Sequence, residues 1–341
     1  IWRAEPGELA DPYHVLVSEL MLQQTQVATV VDYFERFIRR WPTARDLAAA
    51  DEQDVLHAWQ GLGYYRRARH LHAAAKRIVE HHAGRVPTDL DALLALPGVG
   101  RYTAGATASI AGGRATPVLD GNVARVLARL WAIYAPVDQP DVQRRLWSLA
   151  GSLLPRPRRD APHHPGDVNQ ALMELGATVC TPRAPACLRC PVQRFCRAFE
   201  EGRAEQLPVA GRRTAQTPVT HHVVAIRRGG RLLVRRRPDD GLWAGMWELP
   251  TCQQLPAGDD AASALARWVE DELGLRSANL EASGRFTHLT THRRITFRLW
   301  SAAGVDGRLR RGAGRWLTPD ELAGVPLSNP QRRAVAELGS K

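Results

Sequence analysis

Two kinds of hydrophobic spacing divide this chain. Over residues 11–196 apolar side chains recur at helical intervals. The stretch YHVLVSELML, Tyr13 to Leu22, is almost unbroken apolar sequence around a single carboxylate. Thr43 and Asp51 stand where short amphipathic helices would take their N-caps, and Thr88 is placed to cap a helix that Pro97-Gly98 stops. Further helices are predicted over 101–111 and 123–134. After Cys196 the pattern changes. Residues 202–218 are polar and charged and read as a linker. Period-two, β-branched segments follow: HHVVAIRR and RLLVRRR about Gly229-Gly230 form a hairpin, and RRITFRLW forms another strand. Helices are predicted over 261–273 and 330–338. No internal repeat is visible.

The chain divides on this pattern into an all-α domain (1–201), a linker (202–218) and an α+β domain (219–341). Its 341 residues suffice for two cores. No apolar run is long enough to span a bilayer and no signal peptide is visible. Ile1 in place of Met implies that a native segment precedes it. Lys and Arg total 46 against 35 Asp and Glu, a formal charge of +11, which points to a polyanion, nucleic acid first. An arginine-rich genome would give the same charge. Four of the five cysteines fall within residues 180–196, a local site in a reducing compartment rather than a disulfide framework. The expectation is a bacterial, cytoplasmic, nucleoid-associated monomer.

Three motifs carry chemistry. In LPGVGRYTAG, Leu96 to Gly105, Gly98 and Gly100 let the backbone turn tightly beside a ligand, and the amides opening the next helix form an anion site. Helix, L-P-G-V-G and helix make a helix-hairpin-helix, a sequence-neutral grip on DNA phosphate. An ordinary αα-corner needs fewer glycines. Asp120, in LDGNVARV, is an N-cap or a catalytic carboxylate. Cys180, Cys187, Cys190 and Cys196 are spaced C-x6-C-x2-C-x5-C. Their unequal gaps within one short segment suit a 4Fe–4S cluster better than the paired knuckles of structural zinc. Arg183, Arg189, Arg194 and Arg197 in the same loop are phosphate-contact candidates.

Together these motifs resemble the endonuclease III superfamily of base-excision DNA glycosylases. SELMLQQTQV, GLGYYRRARHLH and DVNQALMELGATVC further resemble its adenine DNA glycosylase (MutY) branch. The resemblance covers nearly all of residues 1–200. Bifunctional members place a lysine where this chain has Tyr102, and a tyrosine cannot form a Schiff base, so a hydrolytic enzyme without strong lyase activity is implied. Glu19, amid apolar residues that should raise its pKa, is the expected general acid toward adenine. Asp120 would face the oxocarbenium-like sugar, with Tyr102 and Asn122 lining the same site. By resemblance, Trp2, Arg3 and Gln170 line the adenine pocket. Leu22, Gln23, Gln24 and Tyr64 wedge into the stack and read the opposite strand. The implied substrate is adenine opposite 8-oxoguanine or guanine in duplex DNA.

LLVRRRPDDGLWAGMWELP followed by ARWVEDELGL resembles a Nudix (MutT-like) hydrolase, but Trp268 stands where the signature has a metal-binding glutamate. A degenerate site implies recognition of 8-oxoguanine rather than pyrophosphate hydrolysis, with Phe286, Thr287 and His288 as its contacts. The readings left open are an endonuclease III-like lyase, a thymine–guanine mismatch glycosylase, an inactive damage binder and a Nudix hydrolase.

Overall fold

A computed structural model describes residues 9–155, 164–211, 215–255 and 260–339. The chain divides into two compact units, Ile1–Ala50 with His70–Arg213, and Asp51–Arg69 with Thr214–Lys341. The division does not follow the change in hydrophobic pattern, because a segment of the helical half, Asp51–Arg69, falls in the second unit.

In the first unit, α1 (Pro12–Leu22) begins at Asp11, whose carboxylate accepts from the amides of Tyr13 and His14. Val15 through Met21 are all buried, so this helix has no wet face there and Glu19 is carried inside with the rest. Then come α2 (Val27–Arg40) and α3 (Ala44–Ala49), the latter begun by the Thr43–Asp46 capping box. Next, α4 (Glu52–Ala58) is capped by Asp51, and α5 (Arg66–His81) crosses the boundary between the units. The cap of α6 (Leu90–Leu94) is Asp89, one residue later than the expected Thr88, because the Asp89 carboxylate takes the amides of Asp91 and Ala92.

The remaining helices build the core that carries the functional ends: α7 (Arg101–Ile110), α8 (Gly121–Leu130), α9 (Pro140–Ser152) and α10 (Pro165–Thr178). All of α7 from Thr103 to Ile110 is buried, and its small residues permit close approach. A Cβ on Gly105 would lie 2.5 Å from the Pro117 carbonyl oxygen. A short helix, α11 (Arg197–Glu200), ends the cysteine segment. The residues read as linker are packed at their start: Ala204 and Leu207 are buried with Ala198.

The second unit holds a mixed sheet ordered β3 (Trp247–Glu248), β2 (Arg231–Arg236), β1 (Thr217–Arg228), β6 (Arg293–Gly307), β5 (Leu275–Leu289). In addition, β4 (Thr251–Cys252) pairs with β1 and β7 (Arg315–Leu317) with β2. β1 and β6 are parallel; the expected hairpin forms, with Arg228 opposite Arg231 across Gly229-Gly230. Period-two alternation sorts β1 onto two cores. Val223 and Ala225 pack on one face with Ala334 and Leu338 of α14 (Asn329–Gly339). Val224 and Ile226 pack on the other with Leu265, Val269 and Leu273 of α12 (Ala261–Leu273). Trp268, also on α12, lies partly buried against that second core. A short α13 (Pro319–Ala323) precedes α14.

Candidate active site

In the first unit α10 packs on α7 and α8, and α1 packs on α7. The Tyr102 hydroxyl, in the first turn of α7, donates to Glu19 Oε2 at 2.8 Å and lies 3.2 Å from Met173 Sδ on α10. Glu19 is only 5% exposed, so its carboxyl group is held by a phenol inside the protein. Asp120 caps α8: Oδ1 accepts from the Val123 amide at 2.7 Å and Oδ2 from Asn122 Nδ2 at 3.0 Å. Tyr102 packs on the core that contains Leu119 and Val123, the neighbours of Asp120 and Asn122.

The register of α10 explains the assembly. Residues 170, 173 and 176 fall on one helical face. Met173 meets Tyr102, and Gly176 meets Asn122 so closely that a Cβ there would lie 2.7 Å from the Asn122 Cβ. Gln170 continues the face, and its buried Oε1 has no hydrogen-bond partner among the described residues. A buried acceptor left open is costly unless a ligand donor meets it. Trp2 and Arg3, expected beside it, lie outside the described residues.

The hairpin has the form its glycines imply. Gly98 has φ +74° and lies against the His70 imidazole, where a Cβ would sit 2.3 Å from the His70 Cβ. Gly100 caps α7 with open space around it, and Val99 between them is buried as the anchor of the turn. Arg101 stacks its guanidinium over Trp147 at 3.9 Å. At the end of α1, Gln23 Nε2 donates to Thr103 Oγ1 at 3.1 Å, Gln24 is exposed with φ +58°, and Leu22 is half-buried.

Arg125 is the residue that sequence reasoning missed. It is buried, and its guanidinium donates to the Cys180 carbonyl at 2.7 Å, the Gly176 carbonyl at 2.8 Å and Asn122 Oδ1 at 2.7 Å. Asp120, Asn122, Arg125 and the first cysteine of the cluster segment are thus one bonded series along α8. One turn further, the buried Arg129 donates to Cys180 Sγ at 3.2 Å and to the carbonyls of Thr181 and Leu207 at 2.8 and 2.9 Å.

All four clustered cysteines are free and line one pocket together with Arg129. Among the described residues no three His, Cys, Asp or Glu are grouped to hold a single ion. Burial, then the neighbouring Cys180 and Cys196, pushes the Cys187 thiol up; burial also raises Cys196. Four sulfurs around one cavity, with a buried guanidinium to offset negative charge, fit a multi-iron cluster.

In the second unit Phe286 is a core residue, stacked on Phe297 at 5.0 Å with Arg333 over its other side. Its ring is therefore not on the surface. Thr287 is exposed, and His288 is half-buried with its ring 5.9 Å from that of Trp243; burial lowers its pKa. Tyr64 is 51% exposed at φ +47°.

A helix-hairpin-helix unit with two carboxylates at helix ends defines a base-excision DNA repair protein, and residues 17–151 match the HhH-GPD superfamily of such proteins. Residues 222–337 match the NUDIX domain family. The chain is 38% identical to the adenine DNA glycosylase of Rattus norvegicus over 94% of its own length and 70% of that protein, and 38% identical to that of Homo sapiens over 97% and 70%. It is 47% identical to the adenine DNA glycosylase of Mycobacterium tuberculosis over 56% of the chain and 60% of that protein. A thermostable thymine-DNA glycosylase structure superposes with a TM-score of 0.51 at 28% identity, covering 59% of this chain and 88% of that one. The chain belongs to the adenine DNA glycosylase family, hydrolases of base-excision repair.

Proposed function

We propose that the chain hydrolyses the N-glycosidic bond of adenine mispaired with 8-oxoguanine or guanine, without strong lyase activity. The observation that carries this reading is the Tyr102–Glu19 bond inside a buried helix end. A lyase needs an amine nucleophile, whereas a phenol at this position can only orient a carboxyl group.

The target nucleotide must leave the stack, at a cost of about a few kcal/mol. Glu19, oriented by Tyr102, donates a proton to N7 of the extruded adenine, because adenine leaves poorly as an anion. Gln170 offers its open acceptor to the base. Positive charge then develops at C1′ and is met by Asp120, whose orientation is fixed by the Val123 amide and by Asn122. Glu19 afterwards accepts a proton from the attacking water. The hairpin of Gly98 and Gly100 holds backbone phosphate, while Leu22, Gln23, Gln24 and Tyr64 fill and read the vacated stack. Thr287 and His288 are the accessible members of the proposed 8-oxoguanine contact, with Phe286 supporting them from the core.

Cys180, Cys187, Cys190 and Cys196 would hold a 4Fe–4S cluster, which supplies a rigid tie for the loop that carries Arg183, Arg189, Arg194 and Arg197. We place the protein in a reducing cytoplasm, acting on DNA as a monomer.

A duplex panel tests the assignment. Excision, read as alkali-dependent strand cleavage, is expected on A:8-oxoguanine and A:G and to be lost in Glu19→Gln and Asp120→Asn. Equal turnover of T:G duplexes, or cleavage without alkali, would overturn it.

A further inference from the structure

The loop Gly61–Tyr65, which belongs to the second unit, is held in an unusual way. Gly61, Gly63 and Tyr64 all have positive φ, at +110°, +75° and +47°. A left-handed tyrosine is a strained arrangement that persists only where its surroundings impose it. From one side Trp59 Nε1 donates to the Gly63 carbonyl at 3.3 Å, and buried Arg67 donates to the carbonyls of Gly63 at 3.0 Å and of Leu62 and Tyr64 at 3.4 Å. Burial of this guanidinium pushes its pKa down to about 10. These bonds fix the middle of the loop.

Its two ends are tied elsewhere. Asn329, the first residue of α14, accepts at Oδ1 from the Tyr65 hydroxyl at 3.0 Å and donates from Nδ2 to the Gly61 carbonyl at 3.4 Å. Beside it the Leu327 amide donates to Gln60 Oε1 at 2.7 Å. One carboxamide therefore spans the loop, reaching the residue that begins it and the residue that ends it. Tyr65 is 4% exposed, so its ring is fixed and its hydroxyl is a defined donor.

We propose that Asn329 is a positioning residue for Tyr64: it closes the loop on the start of α14, so that the Tyr64 ring meets the base stack in a single orientation. Through Asn329 the Nudix-like module takes part in wedge insertion as well as in contact with the opposite base. The inference rests on the reading of Tyr64 as a stack wedge.

The test uses the full chain and an A:8-oxoguanine duplex with 2-aminopurine beside the 8-oxoguanine, where a wedge unstacks the probe and raises its fluorescence. Wild type is expected to give the rise, and Tyr64→Ala to abolish it. Asn329→Ala and Tyr65→Phe are each expected to diminish the rise and to weaken Kd by roughly three- to tenfold, the effect of one net hydrogen bond. Tyr65→Phe removes one hydroxyl and leaves α14 intact, so it holds the test open if Asn329→Ala folds poorly. On a Tyr64→Ala background neither change is expected to weaken Kd further, because there is then no ring to position. Wild-type fluorescence and affinity in both single variants would overturn the inference, as would their full independent effect on the Tyr64→Ala background. An unchanged signal in Tyr64→Ala would instead remove the wedge reading itself, and the inference with it.

Discussion

Tyr102 links two features that the sequence presents separately, a carboxylate in an apolar helix and a glycine turn. Its hydroxyl donates to Glu19 and has the sulfur of Met173 alongside. Tyr102→Phe keeps the ring and its packing and removes that bond. Removing one partner of a buried hydrogen bond costs about 1–3 kcal/mol, so single-turnover adenine excision is expected to slow by about 10- to 100-fold with little loss of affinity for DNA. A change in Kd alone would show that the hydroxyl acts on DNA rather than on Glu19. Arg125 makes a sharper case. In GNVARVLARL it reads as one more exposed arginine, because its acceptors lie on Gly176 and Cys180, far along the chain. Only the folded backbone brings those carbonyls to it. Arg125→Gln removes the donors to the Gly176 and Cys180 carbonyls and the bond to Asn122 Oδ1. Excision is expected to fall at least ~10-fold, together with a stability loss of about 2 kcal/mol, read by single-turnover kinetics and by thermal unfolding.

At the level of elements, caps and breakers were legible because they act locally. Thr43, Asp51 and the Gly229-Gly230 turn do what their side chains and backbone freedom dictate. The face of α10 was not legible in that way. A glycine within a helix signals close packing without naming the partner, and that partner proves to be Asn122, next to the Asp120 cap. Gly176→Ala places a methyl group 2.7 Å from the Asn122 Cβ and 2.9 Å from its carbonyl oxygen, so α8 and α10 must separate. Overpacking of this kind costs about 1–3 kcal/mol. Excision is expected to fall more steeply than DNA affinity, since the displaced element carries the carboxylate and not the hairpin. Equal activity in the alanine variant would mean that the helices tolerate the shift. The three expected 8-oxoguanine contacts, by contrast, lie in a strand: Phe286 to Leu289 are paired with Arg294 to Phe297 in the β5–β6 ladder. Pairing fixes which side chains face inward: Phe286 joins the core and Thr287 remains outside.

For the whole molecule, length allows two cores, and hydrophobic period predicts a helical part followed by an α+β part. The grouping of Asp51–Arg69 with the second unit was beyond reach, because it depends on long-range bonds such as those of Asn329 and of Trp247 Nε1 to Gln53 Oε1 at 2.9 Å. A helical segment carries no mark of which core it will join.

That grouping bears on how acidity should act on the protein. His221, on β1 opposite Phe297 of β6, is 3% exposed, packs edge-on against Phe297 and Trp243, and leaves Nδ1 without a partner among the described residues. Burial first, then Arg237, Arg293 and His222, pushes its pKa down from 6.5 to about 4. The folded state therefore refuses a proton that the unfolded chain accepts. Stability is fully present above pH 6.5 and is lost as the pH falls toward 4, by about 3 kcal/mol in all. His222 is lowered by burial and Arg298 and acts in the same sense, whereas buried Glu248, raised by burial despite Arg237, acts in the opposite one. The contribution of His221 is thus read as a difference: tryptophan-monitored unfolding of wild type and His221→Phe at pH 7 and pH 4.5. The variant is expected to lose less stability on acidification, by most of that amount. Because the Gly61–Tyr65 loop belongs to the same unit, acid that loosens this unit should weaken mismatch affinity alongside stability, and His221→Phe should protect both. Parallel pH profiles of wild type and variant would mean that His221 takes up its proton in the folded state without penalty.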